Sequence, residues 1–146
     1  LPGTNVSSDD KFTPTNFVTM TKIDHFFTLL THFFTLSERL VVILHPERPA
    51  GGLELNETGL KAIGDTARTI YWGCMQQIDD RLADKHWMMG NQYTFLDPYA
   101  LVFFGWGKRI EMPMEDLKNY SAFKDRMIER QAVHTVLEKE KSPLLN

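Results

Sequence analysis

The sequence predicts an all-α fold, a helical bundle of about five helices around a buried central helix, and three observations carry that prediction. Apolar residues recur at steps of three and four along most of the chain. The segment Tyr99-Ala-Leu-Val-Phe-Phe-Gly-Trp106-Gly107 is apolar on every side, as a helix surrounded by other helices must be. No run alternates apolar and polar residues in the manner of a half-buried strand.

The first helix is expected to open at Thr13-Pro14, because threonine can cap free N–H groups and proline at the first helical position loses no hydrogen bond. Phe17, Met20, Ile23, Phe27, Leu30 and Phe34 form one apolar stripe, with Phe26, Leu29, Phe33, Leu36, Leu40 and Ile43 beside it. His45-Pro46 ends the pattern, since proline disfavours helical geometry in the residue before it. A loop rich in proline and glycine follows. The second helix is read from about Thr58 to Ala83, with Leu60, Ile63, Ala67, Ile70, Cys74, Ile78 and Leu82 inward and antiparallel packing on the first. Gly64 and Gly73 weaken such a helix by roughly 1 kcal/mol each, so a close helix contact is expected to use their missing side chains.

Thr94 and Asp97 stand at N-cap and N3 spacing before the apolar segment, where each side chain can accept a backbone N–H from the first turn. Pro113 separates that helix from two shorter ones, about Tyr120 to Arg130 and Ala132 to Lys141. Their inward positions are Tyr120, Phe123, Met127, Val133, Val136 and Leu137. Residues 1–12 read as a linker and residues 142–146 as a frayed tail, which leaves one domain over the whole chain.

The segment Trp87-Met-Met-Gly90-Asn-Gln-Tyr93-Thr94-Phe-Leu-Asp97-Pro98-Tyr99 resembles the last part of bacterial glutathione transferases. There a Trp-x-x-Gly turn leads into a Phe/Tyr-Thr-x-x-Asp-x-Tyr helix start. Trp106 matches a tryptophan in the buried helix of that family, and Arg126, Met127, Glu129, Arg130, Ala132 and Val133 match its terminal helix pair. His45-Pro46-Glu47-Arg48 looks like the turn closing its first long helix, and Leu1-Pro2-Gly3-Thr4 like its interdomain linker. Two positions depart from the pattern. Ser37 stands about where the bacterial branch often places a histidine facing the glutathione site, and Gln131 replaces a usual proline.

The resemblance implies the helical half of a protein that conjugates glutathione to electrophiles, with glutathione as co-substrate. It also implies a thioredoxin-like domain as partner, upstream of Leu1, and a homodimer. The reaction needs a thiolate, and a free thiol has a pKa near 8.5, so a donor or a positive charge must stabilise the anion. In the family that donor belongs to the thioredoxin-like half, so no catalytic residue is assigned here and this chain alone is expected to be inactive. Trp106, Phe103 and Arg109 are the candidates for the wall that binds an apolar electrophile. Phe103 is weighted toward plain core, and Arg109 toward a solvated helix-end charge. A non-catalytic protein-interaction module with the same fold is the alternative, and a stand-alone binder of apolar ligands a third reading.

Composition limits the remaining possibilities. A formal net charge of -3 with 24% charged residues shows no field of one sign, which argues against nucleic acid. His32, Glu38 and Arg39 interrupt the greasiest stretch, which argues against a membrane span. Cys74 is the single cysteine, so neither a disulfide framework nor a multi-cysteine zinc site is available, and a cytoplasmic setting is expected. On an apolar stripe it reads as a small buried hydrophobe. His25 and His32 lie two turns apart, too far to chelate one ion together. Glu138 to Lys141 reads as a solvated helix face.

Overall fold

The computed structural model describes residues 28–29, 31, 33–48 and 54–145. The expected linker, the Thr13-Pro14 helix start, His25 and His32 lie outside the described residues. The described residues are mostly helical, and an isolated bridge between Trp87 and Gly90 is the extended pairing among them.

Helix α1 covers residues 33–44, with residues 28, 29 and 31 also helical. It stops at the expected place: His45 still donates its N–H to the Val41 carbonyl at 2.8 Å, and Pro46 begins a turn. Leu29, Phe33 and Leu36 are buried, while Phe34 faces outward. Helix α2, Glu57–Leu82, is capped by Asn56, whose side chain accepts the Gly59 N–H at 2.9 Å. Its buried stripe is Ala67, Tyr71, Cys74, Met75, Ile78 and Leu82. The expected inward Ile70 is instead exposed, and Tyr71 takes the core position one residue on. A Cβ built on Gly64 or Gly73 meets nothing within 4 Å, so the close contact expected at those two glycines does not occur. Arg39 and Val42 of α1 line a shallow groove with Ala62, Ile63, Thr66 and Ala67 of α2, which places the two helices side by side.

Helix α3, Leu96–Arg109, is the central helix. Leu96, Ala100, Leu101, Phe103, Phe104 and Gly107 are buried. Phe33 of α1 stacks on Phe103, with ring centroids 5.1 Å apart. Tyr71 of α2 donates its hydroxyl to the Phe103 carbonyl at 3.1 Å. From the other side Tyr120 donates to the Ala100 carbonyl at 2.6 Å. Each carbonyl has a second lone pair beyond its intrahelical bond, so two buried phenols are satisfied without opening α3. Burial on every side, the sequence expectation, fails along one stripe: Tyr99 is 52% and Val102 is 44% exposed, and Trp106 is half-buried.

The end of α3 is a tight reversal. Glu111 has φ 59°, Glu111 donates to the Lys108 carbonyl at 3.0 Å, and Met112 donates to the Gly107 carbonyl at 2.9 Å. These are the paired bonds of a Schellman turn with a non-glycine residue in the left-handed position. A short 3-10 turn, Met114–Asp116, folds back on α3, and a side chain at Gly107 would run into the Met114 thioether. Helix α4, Lys118–Ile128, packs on α2, α3 and α5, burying Tyr120, Phe123 and Met127. Asp79 of α2 caps α4 from outside: its Oδ1 accepts the Tyr120 N–H at 2.7 Å and its Oδ2 accepts the Asn119 amide at 3.1 Å. Helix α5, Gln131–Lys139, buries Leu137, while Val136, expected inward, is exposed.

The expected frayed tail is packed as far as residue 145. A second Schellman pair, Lys141 to the Glu138 carbonyl and Ser142 to the Leu137 carbonyl, turns the chain at Lys141, where φ is 51°. The 3-10 turn Pro143–Leu145 then sets Leu144 into the core against Gly105.

Candidate functional site

Two features are built around α3, one at each end. At its start the Asp97 carboxylate is fully buried and occupied on both oxygens. Oδ2 accepts the Thr94 N–H at 2.6 Å and the Thr94 hydroxyl at 3.2 Å, and Oδ1 accepts the Met88 N–H at 2.8 Å. The Thr94 hydroxyl oxygen accepts the Leu96 N–H at 3.3 Å, and the Asp97 N–H goes to the Thr94 carbonyl at 3.2 Å. The reciprocal exchange expected of Thr94 and Asp97 therefore differs in detail. Asp97 reaches back to Thr94, but the Thr94 hydroxyl accepts the Leu96 N–H while the Asp97 N–H goes to the Thr94 carbonyl, and the residue immediately before the helix is Phe95, whose side chain makes no cap bond.

The bond to Met88 joins the helix start to the Trp87 turn. Trp87 and Gly90 exchange backbone bonds at 2.7 and 2.9 Å, and Gly90 has φ 99°, a conformation open to glycine and strained for other residues. Trp87 packs edge-on against Tyr93 and Phe123, and the Arg130 guanidinium sits 3.7 Å from the Tyr93 ring centroid and 5.5 Å from that of Trp87. The residues of the Trp-x-x-Gly and Thr-x-x-Asp patterns thus form one unit that fixes where α3 starts and points.

At the other end of α3 lies a cavity of about 720 Å³ between α3, α5 and the 143–145 turn. Leu101, Val102 and Trp106 of α3 supply one wall, Leu137 and Leu144 the other, with Lys108, Arg109, Glu140 and Lys141 also lining it. Two of the three wall candidates, Trp106 and Arg109, are therefore brought together here. Phe103 is not among the lining residues: it is buried, and its ring supports Trp106 edge-on at 5.2 Å. The sequence reading missed Leu144 and Lys141, because nothing local in Lys-Ser-Pro-Leu-Leu signals a return to the core. Leu101 and Leu137 were legible as apolar positions without being assigned to a site.

The cavity offers an apolar aromatic floor with Lys108, Arg109, Lys141, Glu140 and Ser142 around it. Cys74 is buried elsewhere, its thiol pKa raised by burial and only partly offset by Arg39, so it stays protonated and unreactive near neutral pH. Burial likewise raises the pKa values of Tyr71 and Tyr120, whose hydroxyls are committed to α3 carbonyls. Neither phenol is free to hold an incoming thiolate.

The sequence profile of the glutathione S-transferase C-terminal domain matches residues 57–131. The chain is 32% identical over 66 residues to glutathione S-transferase GstA of Escherichia coli O157:H7, a stretch that is 45% of this chain and 33% of that protein. It therefore aligns with about a third of the length of the curated relative it matches. No solved structure gives a significant match. The profile runs from the first turn of α2 to the first residue of α5, taking in the Trp87 turn, the Asp97 junction and α3, and the chain belongs to the glutathione S-transferase C-terminal domain family.

Proposed function

We propose that this chain is the electrophile-binding half of a glutathione transferase, in which Trp106 and Arg109 form part of the wall of the co-substrate pocket. The observation that carries the reading is the cavity of about 720 Å³ against the Trp106 ring, a volume that suits a small aromatic molecule. Phe103 takes part from behind, by holding the indole in place. Glutathione and the group that activates its thiol belong to a thioredoxin-like domain of the same protein. The exposed Phe95 just before α3 and the exposed Tyr99 and Val102 on it, at steps of four and three, give that domain an apolar surface to cover. A homodimer, a detoxifying role and a cytoplasmic setting belong to the same reading. A single buried free cysteine is compatible with that setting, and among the described residues no helix is long and apolar enough to cross a membrane.

The test is steady-state kinetics of the protein joined to its thioredoxin-like domain, with glutathione and a generic aromatic electrophile. Trp106→Ala should raise KM for the electrophile about ten-fold while leaving KM for glutathione within a factor of two, as loss of one aromatic wall implies. No turnover with the upstream domain intact would favour a non-catalytic interaction module instead.

A further inference from the structure

We infer that helix α2 sets the position of Trp106 from outside the cavity, with Tyr71 and Arg68 as positioning residues for the bound electrophile. This rests on the pocket reading above and adds to it the residues that hold its aromatic wall in place.

Neither side chain lines the cavity. They stand three apart on α2, which puts them on one face of that helix, and each reaches across to a backbone carbonyl of α3 or of the reversal that ends it. Tyr71, fully buried, donates its hydroxyl to the Phe103 carbonyl at 3.1 Å. Arg68 donates from Nη1 to the Ile110 carbonyl at 2.7 Å. That carbonyl lies past the last turn of α3, where helix geometry supplies no partner, and Arg68 provides one. The two acceptors bracket Trp106, one three residues before it and the other four after it.

Each bond is passed on to Trp106 by a different contact. The Phe103 ring meets the indole edge-on at 5.2 Å, so the residue whose carbonyl Tyr71 holds is also the one that supports the wall from behind. The Ile110 N–H donates to the Trp106 carbonyl at 3.1 Å, so the residue that Arg68 holds closes the helical turn begun at Trp106. Trp106 is half-buried with open volume on its cavity side, and that volume gives the ring no support. A binding group is only as well placed as the residues behind it, and here those residues are tied to α2.

The test is a double-mutant cycle read by binding of N-phenyl-1-naphthylamine, a neutral aromatic dye, to the intact chain. Trp106→Ala should weaken the dye about ten-fold, and Tyr71→Phe and Arg68→Met about three-fold each, as partial loss of the same aromatic contact. Because both act through Trp106, their effects should fall away in the Trp106→Ala background, where a merely structural loss would persist. Arg68→Lys, which keeps a donor on a long side chain, should recover most of the affinity lost in Arg68→Met. Circular dichroism at the binding temperature sets the conditions in which every variant is folded. Unchanged dye affinity in either α2 variant, or a loss that survives the Trp106→Ala background, overturns the positioning role while leaving the pocket in place. If Trp106→Ala itself leaves the dye affinity untouched, the pocket reading falls, and the inference with it.

Discussion

Asp97, in the first turn of α3, accepts the backbone N–H of Met88 at 2.8 Å across nine residues of chain. A helix-start carboxylate is thereby also the anchor of the turn that precedes it. Because Asp97 is wholly buried, water cannot replace it. Asp97→Ala strands the Met88 N–H and removes the partners of the Thr94 N–H and hydroxyl. The expected cost is about 3 kcal/mol, more than the roughly 1 kcal/mol of an exposed cap, because buried donors are left without acceptors. Urea unfolding should show the midpoint falling with an unchanged slope, and a loss under 1 kcal/mol would contradict the anchoring role.

Glu111 offers the opposite kind of change. It holds the left-handed position of the Schellman turn after α3 at φ 59°, and its side chain is exposed. The left-handed conformation costs a non-glycine residue roughly 1–2 kcal/mol, part of which glycine gives back through its freer unfolded chain. Glu111→Gly is expected to stabilise the protein by about 0.5–1 kcal/mol, visible as a thermal midpoint raised by a few degrees. A lower midpoint would mean that the Glu111 side chain contributes something its exposure does not suggest.

The contrast between these residues shows what was legible in the sequence. The helix boundaries, the Trp87 to Tyr99 unit and the position of α3 follow from spacing, capping chemistry and the family motif, all carried by near neighbours in the chain. Asp97 was readable as a partner of Thr94 for the same reason, but its bond to Met88 depends on a turn closing back and carries no local signature. Ile70 and Tyr71 differ by one residue in helical phase. Hydropathy favours the isoleucine, yet the tyrosine is buried because its hydroxyl finds the Phe103 carbonyl. The glycines divide in the same way: Gly64 and Gly73 face open space, while Gly107 leaves no room for a side chain against Met114. The cavity wall at Leu144 was unreadable because it depends on the tail turning back at Lys141.

Buried acids that ionise at high pH should make the alkaline limit steep. Cys74, Tyr71 and Tyr120 all have pKa values raised by burial in the folded state. Each therefore binds its proton more tightly folded than unfolded, and the stability this represents is complete below the unfolded pKa. It is lost as pH rises, beginning near 8.5 for the thiol and near 10 for the phenols, and continuing to the raised folded values. Between those limits each phenol contributes about 1.4 kcal/mol per pH unit to the slope. Tyr71→Phe should remove one such contribution above pH 10, at a neutral-pH cost of about 1 kcal/mol for the lost bond to Phe103. Stability measured against pH by urea titration checks this, and an unaltered alkaline slope in the variant would show that Tyr71 ionises as freely folded as unfolded.

Gln131 opens α5 at the first helical position, preceded by Arg130 with φ -73° and ψ 119°. That extended geometry is what a residue before proline adopts, and proline at the first helical position sacrifices no intrahelical bond. The glutamine side chain contributes only a long contact to the Thr135 hydroxyl at 3.4 Å on an exposed face. Gln131→Pro should therefore fit the existing backbone and reduce the entropy of the unfolded chain, for a gain of about 0.4–1 kcal/mol. The Arg130 guanidinium over Tyr93 should be kept, because the backbone that positions it is unchanged. Thermal unfolding followed by circular dichroism and by tryptophan fluorescence separates the two parts of this expectation. The helical signal should melt a few degrees higher, and the native emission should stay as it was. A lower midpoint would place the Gln131 N–H in a bond that the helix start requires.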